Sequence, residues 1–102
     1  MIVEYTRYRI AESRGAEFLD AYKHAAKFLQ ESPYCVSFDL SQCVEERDRY
    51  ILRIVWRSIE EHLGGFRKEP GFQPFFQLVK PFFDGIEEMQ HYELTEVVYQ
   101  EI

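Results

Sequence analysis

Between Tyr34 and Val44 the chain alternates strictly. Even positions carry Tyr34, Val36, Phe38, Leu40, Gln42 and Val44, mostly apolar, while odd positions carry Cys35, Ser37, Asp39, Ser41 and Cys43, small and polar. A period of two marks a strand with one face buried. Arg49 to Arg57 repeats the pattern, with Leu52, Ile54 and Trp56 on one face and Arg53 and Arg57 on the other. The charged stretch from Glu45 to Asp48 is short, so the two strands should form a hairpin. One antiparallel register sets Val36, Phe38 and Leu40 opposite Trp56, Ile54 and Leu52, and Asp39 opposite Arg53. A second, mixed face cannot form a core, so another layer must cover the apolar one.

The rest of the chain supplies that layer. Ile2 to Ile10 is rich in β-branched and aromatic residues and reads as a first strand. From Ala16 to Glu31, Phe18, Leu19, Tyr22, Ala25, Ala26 and Leu29 recur at helical spacing. Ser13 is the expected N-cap, and Pro33 ends the helix because the residue before a proline avoids the helical region. Ser58 followed by Glu61 is a capping-box pattern for a short helix, stopped by Gly64 and Gly65. Gly71 to Phe83 carries Phe72, Phe75, Phe76, Val79, Phe82 and Phe83 at helical spacing, with Pro81 placed to end or kink it. Glu87 to Val98 is the expected last strand. The order β-α-β-β-α-β implies a ferredoxin-like α+β fold, an antiparallel sheet with helices on one face. At 102 residues the chain has room for a single domain spanning residues 1–102. So short a chain buries a modest share of its surface, and pairing with a second copy would help it.

Several classes of function are disfavoured. A net charge of −6 opposes non-specific binding to nucleic acid or to an anionic membrane surface. No apolar run reaches the roughly 20 residues of a membrane-spanning helix, and the charged N-terminus is unlike a signal peptide. On one extended strand Cys35 and Cys43 would lie roughly 26 Å apart, far beyond the ~7 Å limit for a disulfide. Two reduced thiols fit a cytoplasmic protein. Neither the cysteines nor the three histidines show zinc spacing, so no metal is expected.

The EYTRY run of the first strand and the segment YILRIVWRSIEEHLGGFRKEPGFQPFF resemble the antibiotic biosynthesis monooxygenase family, within the dimeric α/β-barrel superfamily. In that family a Trp closes the third strand, and a His follows about six residues later, before a Phe-rich helix. Here those positions are Trp56, His62 and Phe72 to Phe76. The resemblance implies a homodimer with a pocket between sheet and helices in each copy. It also implies oxidation of a small phenol- or quinol-type aromatic with O2 and no cofactor, the substrate itself supplying the electrons once deprotonated. Relatives that degrade haem use an Asn on an early strand, and this chain has no Asn. A non-catalytic dimer that binds a small aromatic is the alternative, and a haem-binding or haem-degrading protein the less favoured one.

Trp56 and His62 are the candidate catalytic residues. Trp56 could donate its N–H to a substrate oxygen or serve as a core tryptophan. His62 could be a general base or a haem ligand, or lie on the surface beside Glu60 and Glu61. Phe38, Phe72, Phe75, Phe76 and Tyr92 are the candidate pocket walls. Tyr92 shares a strand face with Gln90 and Leu94, which points it to the pocket and sends its neighbour His91 to the dimer side with Met89 and Glu93. His24 falls off the apolar helical stripe and should meet solvent. Tyr5, Arg7 and Arg9 share one face of the first strand, where the arginines would pair with acids or hold an anionic substrate.

Overall fold

The first strand sits inside the sheet, paired on both edges, and its register fixes which side chains face the helices. Six elements follow in the expected order: β1 (Ile2–Arg9), α1 (Gly15–Glu31), β2 (Cys35–Gln42), β3 (Arg49–Trp56), α2 (Phe72–Val79) and β4 (Ile86–Glu93). The computed structural model describes residues 1–60 and 65–101. Strand order is β2-β3-β1-β4, every neighbouring pair antiparallel, with both helices on one face: a ferredoxin-like α+β fold. Among the described residues no helix is long and apolar enough to cross a membrane.

The hairpin forms with Phe38 opposite Ile54, Asp39 opposite Arg53 and Leu40 opposite Leu52, as the alternation requires. A register shift between Cys35 and Ser37 then sets Cys35, not Val36, opposite Trp56. The extra residue of a bulge turns Val36 outward, and its side chain is 44% exposed.

Helix α1 buries Phe18, Tyr22, Ala25 and Leu29 on one stripe. Phe18 is its centre of packing, with ring centroids 4.8–5.2 Å from those of Tyr8, Tyr22, Tyr50 and Phe82. Ser13 does not cap this helix. The chain enters through a 3₁₀ turn over Glu12–Arg14, Arg14 takes the cap position, and no side chain bonds there. Helix α1 stops at Glu31, two residues before Pro33, as expected. Helix α2 ends at Val79, and Pro81 lies in the first turn of a 3₁₀ segment, Lys80–Gly85. Proline lacks the N–H that an α-helix would need there. Of the expected helix from Ser58, Ile59 and Glu60 are helical, whereas Glu61, His62 and Gly64 lie outside the described residues.

Strand β4 ends at Glu93, short of the expected Val98. Its last ladder contact is the Leu94 N–H to the Met1 carbonyl, 3.0 Å. At the other end of β4, Gly85 lies against β1. A Cβ there would come 2.5 Å from the Arg9 carbonyl oxygen and 3.1 Å from Ile10 Cδ1. Backbone cannot swing aside as a side chain can. Gly85→Ala should therefore destabilise the fold by about 1–3 kcal/mol, read as a lower urea midpoint. An unchanged midpoint would mean that the contact relaxes freely.

On the open face Arg7 meets Glu88 at 3.1 Å, and Arg9 meets Asp48 at 2.7 Å and Glu87 at 3.2 Å. Arg53 approaches Asp39 at 3.6 Å. These exposed pairs contribute little each, but they account for the charge on that face.

Candidate active site

Period two along β1 places Ile2, Glu4, Thr6 and Tyr8 under the helices, and Tyr5, Arg7 and Arg9 on the open face. One member of the helix-facing set is a carboxylate. Glu4 is 4% exposed and Thr6 2%. Donors from β3 and from β1 itself meet the acid. Trp56 Nε1–H donates to Oε1 at 3.1 Å, and the Thr6 hydroxyl donates to Oε2 at 3.3 Å. Trp56 is fully buried at the end of β3. Strand β4 adds His91, because the β1–β4 register sets Glu4 opposite His91 and opposite residues share a face. His91 Nε2 lies 3.9 Å from Glu4 Oε1.

Burial pushes the Glu4 carboxyl above the ordinary carboxylate range. The Trp56 hydrogen bond, the charge of His91, the Thr6 hydrogen bond and the charge of Arg67 act in the opposite sense without cancelling it. The result is a carboxylate poised to take up a proton, held in place by an indole.

Glu4 opens onto a cavity of about 320 Å³ between the sheet and α2. That volume is at the lower end for small-molecule sites. The walls are mostly apolar and aromatic, with Phe66, Phe72, Phe75, Phe76 and Val79 among them. Further along β1 the hydroxyls of Tyr8 and Tyr22 are hydrogen-bonded to each other, and both residues line the same cavity. Burial raises the Tyr8 phenol to about 12 and Tyr22 well above its usual value, so both stay protonated near neutral pH.

Of the expected site residues, Trp56, Phe72, Phe75 and Phe76 come together around this cavity. Phe38 faces the helices and packs against the core, but it is not in the cavity wall. His62 lies outside the described residues. Tyr92 needs correction: it is 47% exposed on the open face, edge-on to Tyr5 at 5.5 Å. His91 and Met89 are on the helix side instead, opposite Glu4 and Thr6, and Met89 lines the cavity. Composition along β4 points the wrong way because parity across the sheet is set by pairing with β1. His24 is exposed on α1, as its position predicts. Glu4, Thr6, Tyr8, Tyr22 and Arg67 are polar residues of the cavity wall that sequence reasoning missed, and the signal of the first four is an acid and three hydroxyls on otherwise apolar faces.

Residues 1–78 match the sequence model of the antibiotic biosynthesis monooxygenase family. The chain belongs to that family. An uncharacterised Bacillus subtilis (strain 168) protein, YczJ, is 29% identical over 93 residues, covering 91% of this chain and 98% of its own. The crystal structure of a proposed family member from Bordetella bronchiseptica superposes with a TM-score of 0.76 at 23% identity, over 92% of this chain and 96% of that one. Another, from Chloroflexus aurantiacus, gives 0.76 at 16% identity over 96% of both chains. At these identities the structural likeness establishes the fold. Both the β1 acid and the β3 tryptophan fall within the family match, while β4 with His91 lies beyond it.

Proposed function

We propose that this family member is an oxygenase that oxidises a small phenol- or quinol-type aromatic with O2, using Glu4 as the proton acceptor. The observation that carries the reading is the buried Glu4 carboxylate, raised in pKa and facing an aromatic cavity. In this account Trp56 is a positioning residue. Its indole N–H is directed at Glu4, which orients the carboxylate and steadies its charged form.

The step balances without an added reductant. Glu4 takes a proton from the activated CH2 that lies across the ring from the oxygen in the keto form, leaving an electron-rich anion delocalised onto that oxygen. That anion gives its electrons to O2, and a C–O bond forms. The proton returns from Glu4 to the distal oxygen, giving a hydroperoxide. Loss of water then leaves a carbonyl where a CH2 stood. One O2 supplies one oxygen to product and one to water. Apolar walls favour such a path by keeping bulk water from the anion. Two copies are proposed to pair through the open sheet face, where Tyr5, Tyr92 and Val36 offer apolar surface between the charged pairs.

Anthrone is the test substrate, since its conversion to anthraquinone should consume one O2. Wild-type protein should accelerate uptake above the buffer rate, with stoichiometric quinone. Trp56→Phe keeps a ring in place but removes a bond that lowers the Glu4 pKa. The acid limb of its kcat/KM profile should therefore move to higher pH, with a rate loss of about tenfold on the plateau. No uptake by the wild type with any phenol or anthrone would overturn the oxygenase reading. An unmoved acid limb in the variant would separate Trp56 from Glu4.

A further inference from the structure

The cavity has a second polar end, which the proposed oxidation does not use. Glu4 and Tyr8 are four residues apart on β1, so their Cα atoms are separated by roughly 13 Å. Tyr8 and Tyr22 are 2% and 7% exposed, and both face the cavity. Each phenol has one proton to give. Within the pair one hydroxyl donates to the other, which uses one proton of the two. Among the described residues neither hydroxyl donates to any further group, which leaves one O–H of the pair without an acceptor, on residues that line the cavity. A buried donor left without an acceptor costs about 1–3 kcal/mol, so an oxygen-bearing ligand would gain by meeting it.

We propose that the Tyr8–Tyr22 pair is a specificity element that recognises an acceptor oxygen on the ligand, at the far end from the group delivered to Glu4. The preferred ligand class is therefore a flat aromatic oxygenated at both ends. This inference rests on the oxygenase reading for the orientation of the substrate, but it is tested by binding alone. Raised phenol pKa values keep the pair a donor rather than a charge, which suits a neutral hydroxyl or carbonyl oxygen.

Calorimetric titration under anaerobic conditions with 2-naphthol and 2,6-dihydroxynaphthalene is the experiment. The wild type should bind the diol about tenfold more tightly than the mono-ol. Either single change, Tyr8→Phe or Tyr22→Phe, leaves one O–H and should keep part of that preference. The double variant Tyr8→Phe/Tyr22→Phe removes both hydroxyls and should bring the two ligands to within about threefold. Replacing both partners of a buried pair with rings of the same shape is nearly neutral for folding, so its melting temperature should stay close to wild type. Equal binding of the two ligands by the wild type would overturn the proposal, as would an unchanged preference in the double variant or no binding of either. A hydroxyl-dependent preference without oxygen uptake would support the pair as a recognition element and count against the oxygenase reading. Oxygen uptake with no such preference would do the reverse.

Discussion

Glu4→Gln should lower anthrone-dependent oxygen uptake by about 100-fold or more while the protein stays folded. The amide keeps the shape of the side chain and an oxygen for the Trp56 N–H, but it cannot take a proton from carbon. General-base contributions of roughly 10²–10⁴ set the scale. Stability should move the other way. Folding raises the Glu4 pKa above its usual value of 4.5, chiefly through desolvation. Between the unfolded and folded pKa values the native state holds a proton that the unfolded state has released. The contribution of Glu4 to stability is thus fully present below about 4.5 and is lost as pH rises through the folded pKa. The variant has no such titration. Its stability relative to wild type should climb across that window and level off above it, as measured by urea unfolding at a series of pH values. A parallel offset at all pH values would show that Glu4 is not desolvated, and undiminished oxygen uptake would remove it from the chemistry.

Phe18→Ala should produce the largest loss of stability in the chain. The Phe18 side chain is completely buried and meets four aromatic rings, contributed by β1, α1, β3 and the 3₁₀ segment after α2. Truncation removes the buried ring and leaves a cavity that those neighbours cannot fill without leaving their own contacts. Phe-to-Ala changes of this kind cost about 3–5 kcal/mol. That is a large share of the ~5–15 kcal/mol that holds a domain together. The urea midpoint should fall by about 2 M, given a slope of roughly 1–3 kcal/mol/M. Phe18→Leu refills much of the volume and should recover a large part of the loss. A midpoint within about 0.3 M of wild type for the Ala variant would contradict the central place given to this ring. Because Tyr8 and Tyr22 both lean on Phe18, ligand binding at the cavity's second end should weaken in parallel.

The fold was legible because its information is local. Alternation in β2 and β3 fixed the hairpin and most of its register, and the Phe18–Tyr22–Ala25–Leu29 stripe fixed the buried side of α1. What local pattern could not supply was the phase of one strand against another. His91 and Tyr92 are neighbours in sequence, and only the pairing of β4 with β1 decides that His91 joins Glu4. The bulge at Val36 likewise has no mark in the residues themselves. Glu4 is different. Its signal is present, since period two groups it with Ile2, Thr6, Tyr8 and Ile10, and an acid on that face has to be either paired or functional. Charged residues on β1 draw attention to Arg7 and Arg9, which are exposed and paired on the other face. The informative charge on β1 was the buried one. Trp56 was legible as a tryptophan on the helix-facing side at the end of β3, but its contact with Glu4 on β1 spans 52 positions of sequence.

The most direct measurement is the pH titration of the Glu4 carboxyl carbon by NMR in protein labelled with 13C at glutamate side chains, assigned by its absence in Glu4→Gln. A midpoint clearly above 4.5, moving higher still in Trp56→Phe, is the result this account predicts. A midpoint at or below 4.5 would mean that Glu4 is an ordinary carboxylate, and the cavity would lose its base.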